Sequence, residues 1–161
     1  MKTLYIMRHG KAEEGYDKAD YKRKLIPKGI KRSHKIAARL VDKKIKPDLI
    51  LCSYSNRTKE TAELMADFLN IPNEQIIESK EFYLAPVGVM METFYAMDDA
   101  VSSILVVGHN PGLSELVTSL TGELIDWMPT SALIAVEIDT EKWKEIRNVN
   151  SKISFSLFPK Q

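Results

Sequence analysis

Cysteine is nearly absent from this sequence. The 161 residues contain one, Cys52, so an intrachain disulfide framework is excluded and a reducing compartment is expected. The three histidines and the single cysteine show no spacing typical of a zinc site. We therefore expect a protein that needs no metal and no other cofactor.

Long hydrophobic runs and a surplus of one charge are also missing. No apolar stretch approaches the roughly 20 residues that cross a bilayer, and Arg8 and His9 interrupt the apolar N-terminal run before it could form a signal peptide. The 23 basic residues are balanced by 22 acidic ones, which gives no sign of a surface for nucleic acid or an anionic membrane. These absences predict a soluble cytoplasmic protein in which any positive field is local.

What the sequence does contain is an alternation of strand-like and helix-like segments. Short apolar or alternating runs predict five strands, at residues 3–7, 48–52, 103–107, 133–138 and 153–158. Apolar residues at helical spacing predict four helices, which start at Pro27, Arg57 and Met90 and near Pro111. The pattern favours a single domain over residues 1–161, a three-layer α/β/α sandwich with a mainly parallel central sheet.

Three of the predicted strands lead into basic side chains. "TLYIM" is followed by Arg8-His9-Gly10, "SILVV" by Gly108-His109-Asn110, and "DLILC" by a turn that reaches Arg57 at the start of a helix. In open α/β sheets, ligands bind at the carboxyl ends of the strands. If these three strands are parallel neighbours, two arginines and two histidines converge on one crevice.

The chemistry that such a cluster suits is phosphoryl transfer. Guanidinium groups match phosphate oxygens and keep their proton, so Arg8 and Arg57 would clamp an anion. Neighbouring cations disfavour an imidazolium, which leaves His9 neutral and nucleophilic beside Gly10, where a missing side chain permits close approach. His109 would donate an N–H to the transferred group, and the helix N-terminus after Asn110 would add backbone donors.

The segments "RHG", "SYSNRTKETAE" and "GHNPGLSELV", in this order, resemble the histidine phosphatase superfamily, which is phosphoglycerate mutase-like in fold. The short length, "RKLIPKG" and "PTSALIAVEID" resemble its small bacterial SixA-type phosphohistidine phosphatases. The resemblance implies that His9 is phosphorylated, that Arg8 and Arg57 bind phosphate, and that His109 is the second histidine of the site. It also places Arg23 close to the phosphate pocket.

The carboxylic acid that esterases of this superfamily use is missing or unconventional. One branch carries His-Asp where this chain has His109-Asn110, and in the region where another branch has a glutamate the nearest candidate is Glu81. An alkoxide needs a proton to leave, whereas an imidazole, with a pKa of about 6.5, leaves without much help. The sequence therefore favours hydrolysis of the P–N bond of phosphohistidine.

Other interpretations stay open. The partner would be a phosphorylated protein or a small phosphate compound, and a phosphate-ester phosphatase, a mutase or a non-catalytic phosphate-binding module would share the pocket. A cysteine-dependent mechanism is disfavoured because four residues, rather than five, separate Cys52 from Arg57 and none is glycine. Lys43, Lys44 and Lys46, together with the lysines of the first loop, are most simply solvated charges, or they help to recruit an acidic partner.

Overall fold

A six-stranded sheet with its helices on both faces organises the chain, and the computed structural model describes residues 1–160 of it. Its strands are β1 (Lys2–Arg8), β2 (Leu49–Ser53), β3 (Ile76–Ser79), β4 (Ser103–Gly108), β5 (Leu133–Ile138) and β6 (Ser151–Leu157). They lie in the order β3-β2-β4-β1-β5-β6. The first four strands in this order are parallel, β5 pairs with β1 in antiparallel orientation, and β6 pairs with β5 in antiparallel orientation. The predicted mainly parallel sheet is confirmed.

Four helices cover the two faces of the sheet. They are α1 (Pro27–Asp42), α2 (Asn56–Leu69), α3 (Val87–Tyr95) and α4 (Gly112–Thr121). Alternate side chains of β4 explain the layering: Ile104 and Val106 pack with α3 and α4, whereas Leu105 and Val107 pack with α1 and α2. Because both faces are covered, the central strands are apolar at almost every position, as the predicted three-layer sandwich requires.

Local sequence signals set three of the helix ends. Pro27 occupies the first turn of α1, where its fixed φ and missing N–H do no harm. The Ser55 side chain accepts a hydrogen bond from the N–H of Thr58 and so caps α2. Gly122, with φ of 77°, ends α4 in the left-handed conformation that glycine adopts without strain.

Two details differ from the prediction. Strand β3 was not predicted because it is a four-residue edge strand with two exposed side chains, which gives little hydrophobic signal. In α1 the predicted apolar stripe included Ile30 and Val41, which are 39% and 46% exposed. The buried face instead contains the small residues Gly29 and Ser33, because α1 approaches the backbone closely there.

Candidate active site

Three neighbouring strand ends bring the predicted residues together. Strand β4 lies between β1 and β2, and Arg8 is paired in register with Gly108. His9 and His109 therefore follow adjacent parallel strands, and their ring centroids are 5.5 Å apart. Arg57, in the first turn of α2 after β2, contacts both rings. The structure thus brings His9, His109 and Arg57 together at one edge of the sheet.

The surroundings of His9 fix its tautomer. Its Nδ1 lies 2.7 Å from the carbonyl oxygen of Gly10, and because a carbonyl only accepts, Nδ1 carries the proton. Its Nε2 accepts a hydrogen bond of 3.3 Å from Nε of Arg57. The lone pair of Nε2 is therefore directed at the cationic pocket, as a nucleophile for a bound anion requires.

His109 is held from its other side by Ser53, a residue that the sequence analysis did not single out. The Ser53 hydroxyl lies 2.8 Å from Nε2 of His109, and Nδ1 lies 3.3 Å from Nη2 of Arg57. An arginine can only donate, so Nδ1 accepts in this state and Nε2–H donates to Ser53. Because a hydroxyl also donates, Ser53 can support the opposite tautomer equally well.

The two arginines differ in how their donors are satisfied. Arg57 is 4% exposed and its donors are shared among both histidines and Asp20. Arg8 donates from Nη1 to the carbonyl oxygen of Met128 at 3.1 Å and lies 5.1 Å from the ring of Trp127. Its buried Nε has no hydrogen-bond partner among the described residues. A donor left without a partner in a cationic pocket suits an anionic ligand.

Asp20 completes the cluster from the first loop, and the sequence analysis missed it. Its carboxylate pairs with Nη2 of Arg57 and with Nη1 of Arg23, each at 3.0 Å, and accepts a short hydrogen bond from the hydroxyl of Tyr83. Partial burial opposes ionisation, but the hydrogen bonds from Tyr83, Arg23 and Arg57 lower the pKa of Asp20 below its ordinary value. Asp20 is thus a carboxylate at neutral pH.

A sequence profile and a bacterial relative identify the family. The profile of the histidine phosphatase superfamily (branch 1) matches residues 4–88, more than half of the chain. Phosphohistidine phosphatase SixA of Escherichia coli (strain K12) is 32% identical over 139 residues, which are 84% of this chain and 85% of that protein. The chain belongs to the histidine phosphatase superfamily. The predictions of the family and of a phosphatase are confirmed.

Solved structures agree with this assignment. The protein histidine phosphatase SixA complexed with tungstate has a TM-score of 0.84 and 28% identity, with 98% of this chain and 97% of that chain covered. Phosphoglycerate mutase of Plasmodium falciparum has a TM-score of 0.65 over 96% of this chain and 89% of its own, at 16% identity. The histidine phosphatase described here therefore has the predicted phosphoglycerate mutase-like fold.

The remaining predicted site residues lie in different positions around the pocket of this histidine phosphatase. Arg23 lines a cavity of about 540 Å³ together with Arg8, His9 and Asp20. Asn110 lies just behind it, donating to the carbonyl oxygen of Met128 at 2.7 Å and accepting from the Ser114 hydroxyl at 2.9 Å. These contacts hold the loop that carries Trp127, and direct contact of Asn110 with substrate stays a prediction.

Gly10 is closely packed on the side where a side chain would lie. A Cβ at this position would lie 2.9 Å from the Ser33 hydroxyl and 3.1 Å from the carbonyl oxygen of Gly29. The N–H of Gly10 donates to Thr61 at 3.0 Å. The glycine therefore allows the segment after β1 to pass close to α1, and contact of Gly10 with the phosphoryl group stays a prediction.

Two candidate groups of the sequence analysis lie apart from this chemistry. Glu81 is exposed and its carboxylate accepts a hydrogen bond of 3.1 Å from the Ser79 hydroxyl. Cys52 is fully buried, and burial raises the pKa of its thiol to about 12.

Within residues 1–160 no three His, Cys, Asp or Glu side chains are grouped so that they could hold a metal ion. No helix in that range is both long and apolar enough to cross a membrane, and a cytoplasmic location stays a prediction.

Neither site histidine is expected to gain a proton between pH 8 and pH 5. Burial lowers the pKa of His9 to about 3, and the charges of Arg57, His109 and Arg8 act in the same direction. The hydrogen bond to Gly10 raises this pKa but does not outweigh them. Burial and Arg57 lower the pKa of His109 to about 4. Imidazole proton NMR signals of both should stay unshifted over this range in the ligand-free enzyme. A titration near 6.5 at either ring would contradict this electrostatic description.

The same pKa values predict the pH dependence of stability. In the unfolded chain these histidines gain protons below their ordinary pKa of about 6.5, whereas in the folded protein they stay neutral. The unfolded state thus binds more protons, so stability falls as pH drops from about 6.5, by up to about 1.4 kcal/mol per pH unit for each ring. Denaturant unfolding of His9→Asn should show a shallower fall than the wild type.

Proposed function

We propose that this enzyme hydrolyses phosphohistidine on a partner protein and that His9 carries the phosphoryl group between the two half-reactions. Nε2 of His9 attacks phosphorus, the P–N bond to the substrate imidazole breaks, and the leaving ring takes a proton from solvent. Water then attacks phospho-His9, and phosphate leaves with His9 restored. The orientation of the Nε2 lone pair, fixed by the Nδ1 hydrogen bond to Gly10, supports this role.

Arg8, Arg57 and His109 hold the transferred group in this proposal. Arg8 offers the Nε donor that has no partner among the described residues, and Arg57 offers a fork between both histidines. Once Arg57 turns to the anion, Nδ1 of His109 is free to donate, because the Ser53 hydroxyl can then donate to Nε2. His109 can thus stabilise the equatorial oxygens without becoming an imidazolium.

The choice of phosphohistidine as the substrate rests on the ionisation state of the Asp20 carboxyl group. Asp20 is the carboxyl group that pairs with Arg57 and Arg23, and its three donors keep it ionised. An ionised carboxylate has no proton to give to a leaving alkoxide. An imidazole, with an ordinary pKa of about 6.5, leaves readily without that proton. We therefore assign P–N bonds, in agreement with the phosphohistidine phosphatase activity for which the SixA relative is named.

A protein substrate is further supported by the rim of the pocket. Tyr16 and Trp127 stand at its edge with 94% and 58% of their surfaces exposed. Exposed aromatic side chains beside a catalytic pocket are typical of surfaces that contact another protein. Arg23 donates to Asp20 and to the carbonyl oxygen of Glu13, and in this proposal it meets the phosphoryl group as it enters.

Substrate comparison tests this proposal. Free phosphohistidine and a phosphohistidine peptide should be hydrolysed with a kcat/KM at least about 100-fold above that for small phosphate esters, as the difference in leaving group predicts. EDTA should leave the rate unchanged. Faster hydrolysis of the esters would indicate an ester phosphatase or mutase. Tight phosphate binding without turnover of any substrate would indicate a binding module, and either result would overturn the proposal.

A further inference from the structure

A second groove lies directly beside the catalytic pocket. It has a volume of about 550 Å³ and is lined by Lys18, Tyr21, Lys22, Lys24, Tyr54 and Lys59; we refer to these six residues as the basic groove. The first-loop segment 18–24 separates it from the catalytic pocket, since Asp20 and Arg23 line one side and Tyr21 and Lys22 the other. An occupant of the groove therefore lies next to the reaction.

The basic groove concentrates positive charge on a chain that is almost neutral. Four lysines line it against one carboxylate, that of Glu78, although the whole chain carries a formal net charge of +1. Lys18 pairs with Glu13 at 2.6 Å, and Lys59 pairs with Glu78 at 3.7 Å. Lys22 and Lys24 form no ion pair within residues 1–160. The sequence predicted that any positive field would be local, and the basic groove is such a local concentration of positive charge.

Aromatic rings form the floor of this groove. Tyr21 and Tyr54 are stacked with their centroids 5.7 Å apart, and each is 38% exposed. The ammonium of Lys22 lies 5.9 Å from the Tyr21 ring, and that of Lys80 lies 5.3 Å from the Tyr54 ring. Ring faces attract ammonium groups, so the lysines are held over a partly apolar floor. Such a floor also accepts the methylene groups of glutamate side chains.

The groove is coupled to the catalytic residues through the backbone. Tyr21 follows Asp20, whose carboxylate pairs with Arg57, and the amide of Asn56 donates to the carbonyl oxygen of Lys22 at 2.8 Å. Asn56 in turn precedes Arg57 at the start of α2. Residues a few positions away from a phosphohistidine bound at His9 would therefore reach the basic groove.

We propose that the basic groove binds acidic residues that flank the phosphohistidine of the substrate protein. The proposal rests on the proposed function and adds the recognition element that selects among phosphohistidine proteins. Opposite charge across an interface raises the encounter rate and selects partners more than it tightens the final contact. An acidic flank would thus lower KM and leave the chemical step unchanged.

Two synthetic peptides of equal length provide the direct comparison, with phosphohistidine flanked by glutamates in one and by serines in the other. For the wild type we expect a KM about tenfold lower for the glutamate peptide with similar kcat. The preference should shrink when NaCl is raised from about 0.05 M to about 0.5 M. Equal KM values for the two peptides would overturn the proposal.

Variants that replace lysine by glutamate test whether the preference for the glutamate peptide arises in the basic groove. Lys22→Glu/Lys24→Glu should abolish the preference for the glutamate peptide while the rate with free phosphohistidine stays unchanged, which also shows that the variant is folded. Lys46→Glu/Lys144→Glu makes the same change of charge at exposed positions beside the opposite edge of the sheet and should keep the preference. A preference that survives in the first variant, or disappears in both, would contradict the groove assignment.

The outcomes distinguish this inference from the function on which it rests. If neither peptide nor free phosphohistidine is hydrolysed, the proposed function is wrong. If free phosphohistidine and both peptides are hydrolysed with equal efficiency, the function stands and only the groove assignment fails.

Discussion

Replacement of His9 by asparagine is expected to lower kcat on a phosphohistidine peptide by about 10⁴-fold or more, the loss that follows removal of a covalent nucleophile. Asparagine keeps a similar volume and can donate to the Gly10 carbonyl as Nδ1 of His9 does, but it offers no lone pair that attacks phosphorus. Single-turnover assays with radiolabelled substrate should show acid-labile phosphate on the wild-type chain and none on the variant.

Cys52→Ser is the matched control for the nucleophile. Because the thiol is buried and its pKa is raised to about 12, its replacement should leave turnover intact. The assignment of His9 as the nucleophile would be wrong if Cys52→Ser lost turnover while His9→Asn retained it. Phosphate binding by His9→Asn, measured by calorimetry, shows that the arginine pocket of that variant is folded.

Replacement of Arg57 by lysine should lower kcat/KM by about 10²- to 10³-fold, the usual cost of removing a donor aimed at transition-state charge. The guanidinium of Arg57 reaches Nε2 of His9, Nδ1 of His109 and Asp20 at once. A lysine ammonium is a single point and cannot fill these positions together. Most of the loss should fall on kcat, since the geometry matters most in the transition state.

The same substitution at a remote arginine provides the comparison. Arg147→Lys changes an arginine whose side chain contacts the Ser119 hydroxyl in α4, away from the strand ends, and should retain wild-type kinetics. Retained activity in Arg57→Lys would show that the charge alone, and not the planar fork, is required. That result would contradict the requirement for the planar fork of Arg57.

The residues at the strand ends could be predicted because their signals are local. An apolar run such as residues 103–107 indicates a strand buried on both faces, and the histidine that follows it must lie at the sheet edge where ligands bind. Arg57 was predictable because Ser55 is a strong helix cap. The order of motifs added the family resemblance, which the profile match over residues 4–88 confirms.

Asp20, Tyr83 and Ser53 could not be predicted in the same way. Asp20 lies in a polar loop without periodicity, and Tyr83 lies in an irregular segment after β3. Asp20 accepts hydrogen bonds from Arg57 and Tyr83, which are 37 and 63 residues away in the sequence. Only folding of the first loop over the strand ends brings the carboxylate, the phenol and the guanidinium together.

The sequence by itself determined which chemical groups stand at the ends of the central strands, because the hydrophobic period and the capping residues act over a few neighbouring positions. The tertiary structure decided that β1, β4 and β2 are neighbours, that Asp20 is an ionised carboxylate and that His9 and His109 stay neutral. It also decided that Gly10 allows close packing and that the first-loop lysines form one groove. Protonation, tautomer and local field depend on burial and on charges far apart in the chain, and these distances exist only in the folded protein.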